Sequence, residues 1–190
     1  MNTKKCLKIV GKYLFVLFAG LIALSLIGLL VLHLRSPGKA VPFVDENGEI
    51  ISESISTIEK VNLGGIEQYL IIRGVDSSKP VLLFLHGGPG SPELGFVKKY
   101  NPKLEHDFVV VHWEQRGSGK SYNKKIPIES MNVGQLISDT KELSEYLIKR
   151  FNQSKIYIMG HSWGSYLGMK TIAKYPELYH CYFGVGQVAD

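Results

Sequence analysis

Cysteine is nearly absent from this chain. Cys6 and Cys181 are the only two in 190 residues, which excludes a disulfide framework, and no Cys/His spacing suits a metal. If the apolar run between them crosses a membrane, the two lie on opposite sides and do not pair. Cys181 sits in a segment that reads as a buried strand and is expected to be a small core residue. Acidic residues are missing from the N-terminal end: none precedes Asp45. Between Tyr13 and Leu34 there is no charged residue of either sign. Five basic residues (Lys4, Lys5, Lys8, Lys12 and Arg35) lie within or beside that run, and taking those five from the chain's 22 leaves 17 basic against 17 acidic. The remainder is formally neutral, so a basic surface for nucleic acid has no support.

The uncharged run is 22 residues long, from Tyr13 to Leu34. As a helix it covers about 33 Å, enough for a bilayer core. A secretory signal has a shorter apolar region and a small-x-small cleavage site, which the Leu32-His33-Leu34-Arg35 exit does not supply. A buried core helix is disfavoured by apolar residues on every side and lysines at one end. The run is expected to be an uncleaved anchor to the lipid bilayer. Its preceding lysines place the N-terminus in the cytoplasm and the following domain outside. The organisation is then a basic N-terminus (1–12), a transmembrane anchor (13–34), a linker (35–50) and a globular part (51–190).

In the globular part, Ile55–Asn62 and Glu67–Arg73 flank Leu63-Gly64-Gly65-Ile66, the signature of a hairpin. Val81–Leu85 and Phe108–Trp113 are unbroken apolar runs, as strands buried on both faces require. Residues 131–151 switch to helical spacing, with Val133, Leu136, Ile137, Thr140, Leu143, Leu147 and Phe151 on one stripe and Asn132 as the cap. Lys155–Met159 reads as a strand and Trp163–Lys174 as a helix that Pro176 cannot continue. Tyr179–Val185 reads as a last strand. A hairpin followed by alternating strands and helices predicts an α/β fold, its sheet parallel after the first strands, with helices on both faces.

Three motifs carry chemistry. Gly160-His161-Ser162-Trp163-Gly164 lies between a predicted strand and a predicted helix. Such a turn strains the serine backbone and lifts its hydroxyl above the sheet, so Ser162 is the candidate nucleophile. Gly160 and Gly164 leave room for the turn. Trp163, at the helix start, can give its backbone N–H to an oxyanion. His161 is adjacent to the serine in sequence, points elsewhere on the turn, and reads as structural. His86-Gly87-Gly88-Pro89-Gly90 follows a buried strand, and Gly87 or Gly88 supplies the second oxyanion donor, with His86 bracing the loop. Trp113 through Ser121 (WEQRGSGKS) forms the third loop. There Glu114, Gln115 and Arg116 are expected to support the site, with direct substrate contact by Arg116 the lesser alternative. No Walker phosphate-loop pattern is present.

In this order and spacing the three motifs resemble the α/β-hydrolase superfamily, most closely its proline iminopeptidase group, over roughly residues 50–190. Glu114 departs from the aspartate usual there, a local change. The resemblance implies attack by Ser162 on a small peptide, amide or ester substrate through an acyl-enzyme, with no metal and no organic cofactor. It also implies a triad ordered serine, acid, histidine. After Ser162 the only candidates are Glu177, Asp190 and His180, none of which matches the family's position. The chain therefore reads as the N-terminal part of an α/β-hydrolase domain, inactive alone. The alternatives are a membrane-anchored binding module on a hydrolase scaffold and a site completed by a partner chain.

Overall fold

The computed structural model describes residues 3–35 and 40–189, with side chains described from residue 8 onward except at residue 35. The Cys6, Lys4, Lys5 and Arg35 side chains, residues 36–39 and Asp190 lie outside the described part. The chain divides into two units, Met1–Gly38 and Lys39–Asp190. The first is one helix, α1 (Thr3–Arg35), whose stretch Lys8–Leu34 is long and apolar enough to cross a membrane. Its apolar side chains, from Ile9 to Leu34, are exposed around the whole helix.

The second unit is built on a six-stranded sheet in the order β1-β2-β4-β3-β5-β6. Strands β1 (Ile55–Leu63) and β2 (Ile66–Gly74) form the expected hairpin, and Gly64 and Gly65 turn it at φ 53° and 78°, where both central residues need positive φ. β2 runs antiparallel to β4 (Val109–Glu114). From β4 the sheet is parallel, through β3 (Val81–Leu85), β5 (Ile156–His161) and β6 (Tyr179–Val185). Side chains alternate between faces along each strand. Leu83, Leu85, Val111, Ile156 and Ile158 meet helices α4 (Val133–Arg150) and α5 (Trp163–Lys174) in the main core. Phe84 and Val110 point the other way, against Val97 of α2 (Leu94–Tyr100) and Leu104 of α3 (Leu104–Asp107).

Helix α4 starts at the expected cap, the Asn132 side chain accepting from the Gln135 N–H at 2.9 Å. Its stripe seals Leu136, Thr140, Leu143 and Leu147 into the interior. One expectation changes. Cys181 is exposed, because β6 is an edge strand paired with β5 alone, and most of its length is open. The stretch read as a linker keeps most of its side chains exposed from Val41 onward and touches the sheet at two points: Arg73 donates to the Val41 carbonyl at 2.7 Å and lies over the Phe43 ring, while Val44 bridges to Ile50. The short helices α2 and α3 have no counterpart in the periodicity. A buried ion pair, Arg73 Nε to Glu105 Oε1 at 2.7 Å, pins α3 to β2.

Candidate active site

Strand β5 ends in the Gly160–Gly164 turn, and Ser162 stands there at φ 50° and ψ −118°, a conformation non-glycine residues rarely adopt. The strain is held from both sides. The Ser162 N–H donates to the Val185 carbonyl of β6 at 2.9 Å, and its carbonyl accepts from the Ser165 N–H at 2.9 Å. The flanking glycines are required by contact: a Cβ at Gly160 would strike the Gly164 carbonyl, and one at Gly164 the Leu85 carbonyl. Helix α5 begins at Trp163, so that residue's N–H has no acceptor within the helix.

The loop after β3 closes over this turn. A Cβ at Gly87 would lie 3.3 Å from both the Ser162 Cβ and the His161 carbonyl oxygen. The two candidate glycines, Gly87 and Gly88, differ in one respect. The Gly87 N–H already donates to Glu93 Oε1 at 3.1 Å, whereas no described residue accepts from the Gly88 N–H. Of these two, Gly88, at φ 113°, is thus the one whose N–H has no acceptor among the described residues.

The third loop ties the other two together. Gln115 Nε2 donates to the His86 carbonyl at 3.1 Å, and Gln115 Oε1 accepts from the Trp163 indole N–H at 3.2 Å. His86 Nε2 accepts from the Gln115 N–H at 3.3 Å, which leaves the ring proton on Nδ1, 2.9 Å from the Gly87 carbonyl. Burial lowers the His86 pKa from its usual value, and the Gly87 carbonyl opposes that only in part. The Glu114 carboxylate accepts from the Lys120 N–H, filling the space where a Gly119 side chain would sit.

Arg116 is buried and directed away from the serine. Its Nε and Nη2 grip both Asp139 oxygens at 2.7 and 2.9 Å, and Nη2 also donates to the Leu63 and Gly64 carbonyls. Gln68 and Gln135 complete the Asp139 carboxylate. Arg116 is 4% exposed and has no surface to offer a substrate.

Glu93 escapes a reading of the motifs, and its partner His161 is read there only as structural. Glu93 follows the glycine loop and stands at the start of α2. His161 Nδ1 lies 2.8 and 3.0 Å from its two carboxylate oxygens. An acid just past a Gly/Pro loop and before a helix is the signal that could have marked Glu93. Both residues line a pocket of about 350 Å³ whose walls include Phe84, Phe96, Val97, Met159 and Val185.

No described residue hydrogen-bonds to the Ser162 hydroxyl. His180 is in β6 at the end far from the serine, 5.2 Å ring to ring from Tyr157. It lies about 16 Å along the strand from Val185, the residue that binds the Ser162 N–H. Glu177 is in the 3₁₀ turn Pro176–Leu178 at that same far end. Among the described residues no group of three or more His, Cys, Asp and Glu side chains could hold a metal ion.

Comparison with known proteins gives a consistent set of relatives. A family model described as the alpha/beta hydrolase fold matches residues 80–188. A probable aminopeptidase, YbaC, of Bacillus subtilis is 45% identical over 138 residues, covering 73% of this chain and 43% of the relative. A proline iminopeptidase of Lactobacillus helveticus is 30% identical over 119 residues, covering 62% of this chain and 39% of the relative. Among solved structures, a proline iminopeptidase-related protein from Thermus thermophilus superposes with a TM-score of 0.58 at 25% identity, over 68% of this chain and 44% of that one. Epoxide hydrolase A from Mycobacterium thermoresistibile reaches 0.55 at 23% identity, over 68% and 39%, and shares the fold alone. The chain spans less than half the length of these relatives.

Proposed function

Because this chain belongs to the α/β-hydrolase family, in its proline iminopeptidase-like group, we propose that it carries the nucleophile and oxyanion donors of a serine aminopeptidase or related amide and ester hydrolase. Ser162 attacks the substrate carbonyl and forms an acyl-enzyme, and the leaving amine or alcohol departs with a proton. The oxyanion is held by the Trp163 and Gly88 N–H groups, each worth about 10²–10³-fold in rate. The observation that supports this most is the Ser162 backbone at φ 50° on a strand-to-helix turn, with the glycine loop at Gly87 packed against the Ser162 Cβ. His86, Gln115 and Glu114 hold the three loops in register, and Arg116 holds the last of them to the scaffold.

Among the described residues none hydrogen-bonds to the Ser162 hydroxyl, so we infer that its base and acid are supplied by further polypeptide, in the same protein or in a partner chain. The test is hydrolysis of an aminoacyl p-nitroanilide and a p-nitrophenyl ester by the protein supplied with those parts. Ser162→Ala is expected to reduce both to reagent background. Equal turnover by the wild type and Ser162→Ala would end the assignment.

Helix α1 is the membrane anchor, with its lysine-rich start in the cytoplasm and the hydrolase unit on the other side. Protease added outside sealed cells should remove residues 40–190. Protection of that unit until the cells are lysed would reverse the orientation.

A further inference from the structure

Glu93 is an unusual residue to find beside an oxyanion site. Its Oε1 and the Ser162 Cβ flank the same point, 2.8 and 3.3 Å from a Cβ placed on Gly87. Negative charge there opposes an alkoxide forming on the substrate carbonyl, unless a cation stands between them. His161 and the Gly87 N–H do not exhaust the carboxylate. Oε1 accepts from both, but among the described residues Oε2 has only the shared His161 Nδ1 at 3.0 Å, and a carboxylate offers about four lone-pair sites. The side chain is 16% exposed and lines the 350 Å³ pocket, whose other walls are mainly apolar.

We propose that Glu93 is a specificity-determining residue: its carboxylate takes the α-ammonium of an unblocked N-terminal residue, while the apolar pocket takes that residue's side chain. This rests on the aminopeptidase reading for its substrate class. The geometry suits such a substrate, because an α-nitrogen is one carbon away from its carbonyl, about 2.5 Å by standard bond lengths. An ammonium on Glu93 therefore brings the carbonyl to Ser162 and its donors. The same cation cancels the charge that would disfavour the oxyanion. N-blocked substrates lose both effects.

The test is equilibrium binding to the full chain in detergent micelles, using phenylalaninamide and N-acetylphenylalaninamide as probes. The free amine should bind at least about tenfold more tightly, as a hydrogen bond to a charged group implies. Glu93→Gln keeps an acceptor for the Gly87 N–H but removes the charge, and it should bring the amine down to the level of the acetylated probe. No binding of the amine, equal binding of both probes to the wild type, or an equal loss for both in Glu93→Gln would overturn the proposal. The last outcome would make Glu93 a brace for the glycine loop. Binding needs no turnover, so amine selectivity without a reactive Ser162 would refute the proposed reaction and leave this inference standing. A reactive Ser162 without amine selectivity would do the reverse.

Discussion

Asp139 and Glu93 both belong to the polar network behind the Ser162 loops, and they differ in how completely they are used. Asp139 accepts four hydrogen bonds, from Arg116 Nε, Arg116 Nη2, Gln68 Nε2 and Gln135 Nε2, and its side chain is fully buried. Glu93 accepts from one backbone N–H and one imidazole, and it opens on a pocket. The first carboxylate fastens β2, the third loop and α4 to each other. The second touches the glycine loop and the serine turn and has capacity left over. A saturated, sealed charge pair is scaffold, whereas an unsaturated charge at a pocket mouth is available to a ligand.

The strongest way to break this comparison is Asp139→Ala. It leaves the Arg116 guanidinium, whose side chain is 1% exposed, without its counter-charge. We expect a loss of about 3–5 kcal/mol, read as a fall in urea midpoint at unchanged slope. A loss below about 1 kcal/mol would put Asp139 among ordinary surface pairs and remove the distinction.

His112 sharpens the comparison from a third position, since it is unsaturated yet sealed. Neither ring nitrogen has a hydrogen-bond partner among the described residues, and the cavity beside it is about 10 Å³, room for one water at most. Burial, with a smaller contribution from Arg73, pushes its pKa down to about 3. Between about pH 6.5 and 3 the unfolded chain binds a proton here that the folded chain refuses. The resulting stability is complete above pH 6.5 and lost as pH falls towards 3, with a slope of up to about 1.4 kcal/mol per pH unit. His112→Leu should flatten that limb of a stability–pH curve. An unchanged limb would mean that His112 is protonated without cost.

The smallest effect is expected of Glu93→Gln on stability, below about 1 kcal/mol, because the amide still accepts from the Gly87 N–H. A drop comparable to that of Asp139→Ala would show that Glu93 is scaffold after all.

Much of this was legible in the sequence, for reasons tied to burial. β3 and β4 lie inside the sheet with both faces covered, so β3 is wholly apolar, β4 is apolar but for His112 and its terminal Glu114, and the runs announce themselves. The hairpin and the Ser162 turn are legible because their backbones demand glycine. Cys181 misled because burial of an edge strand depends on what lies beside it, not on its own residues. Glu93 was passed over because only its place after the Gly/Pro loop marks it in sequence, and its partners are brought to it by the fold: the Gly87 N–H when the Pro89 loop doubles back, and His161 from 68 residues away. Asp139 and Arg116, 23 residues apart, meet for the same kind of reason, and no spacing in either segment encodes it.

The central claim is that Ser162 forms the covalent bond. Rapid acid quench of the protein supplied with its base and acid, after mixing with a p-nitrophenyl ester, should trap an acyl group that peptide mass spectrometry maps to Ser162 and that vanishes in Ser162→Ala. An acyl group on another residue, or turnover with no trapped adduct under any quench time, would contradict the account.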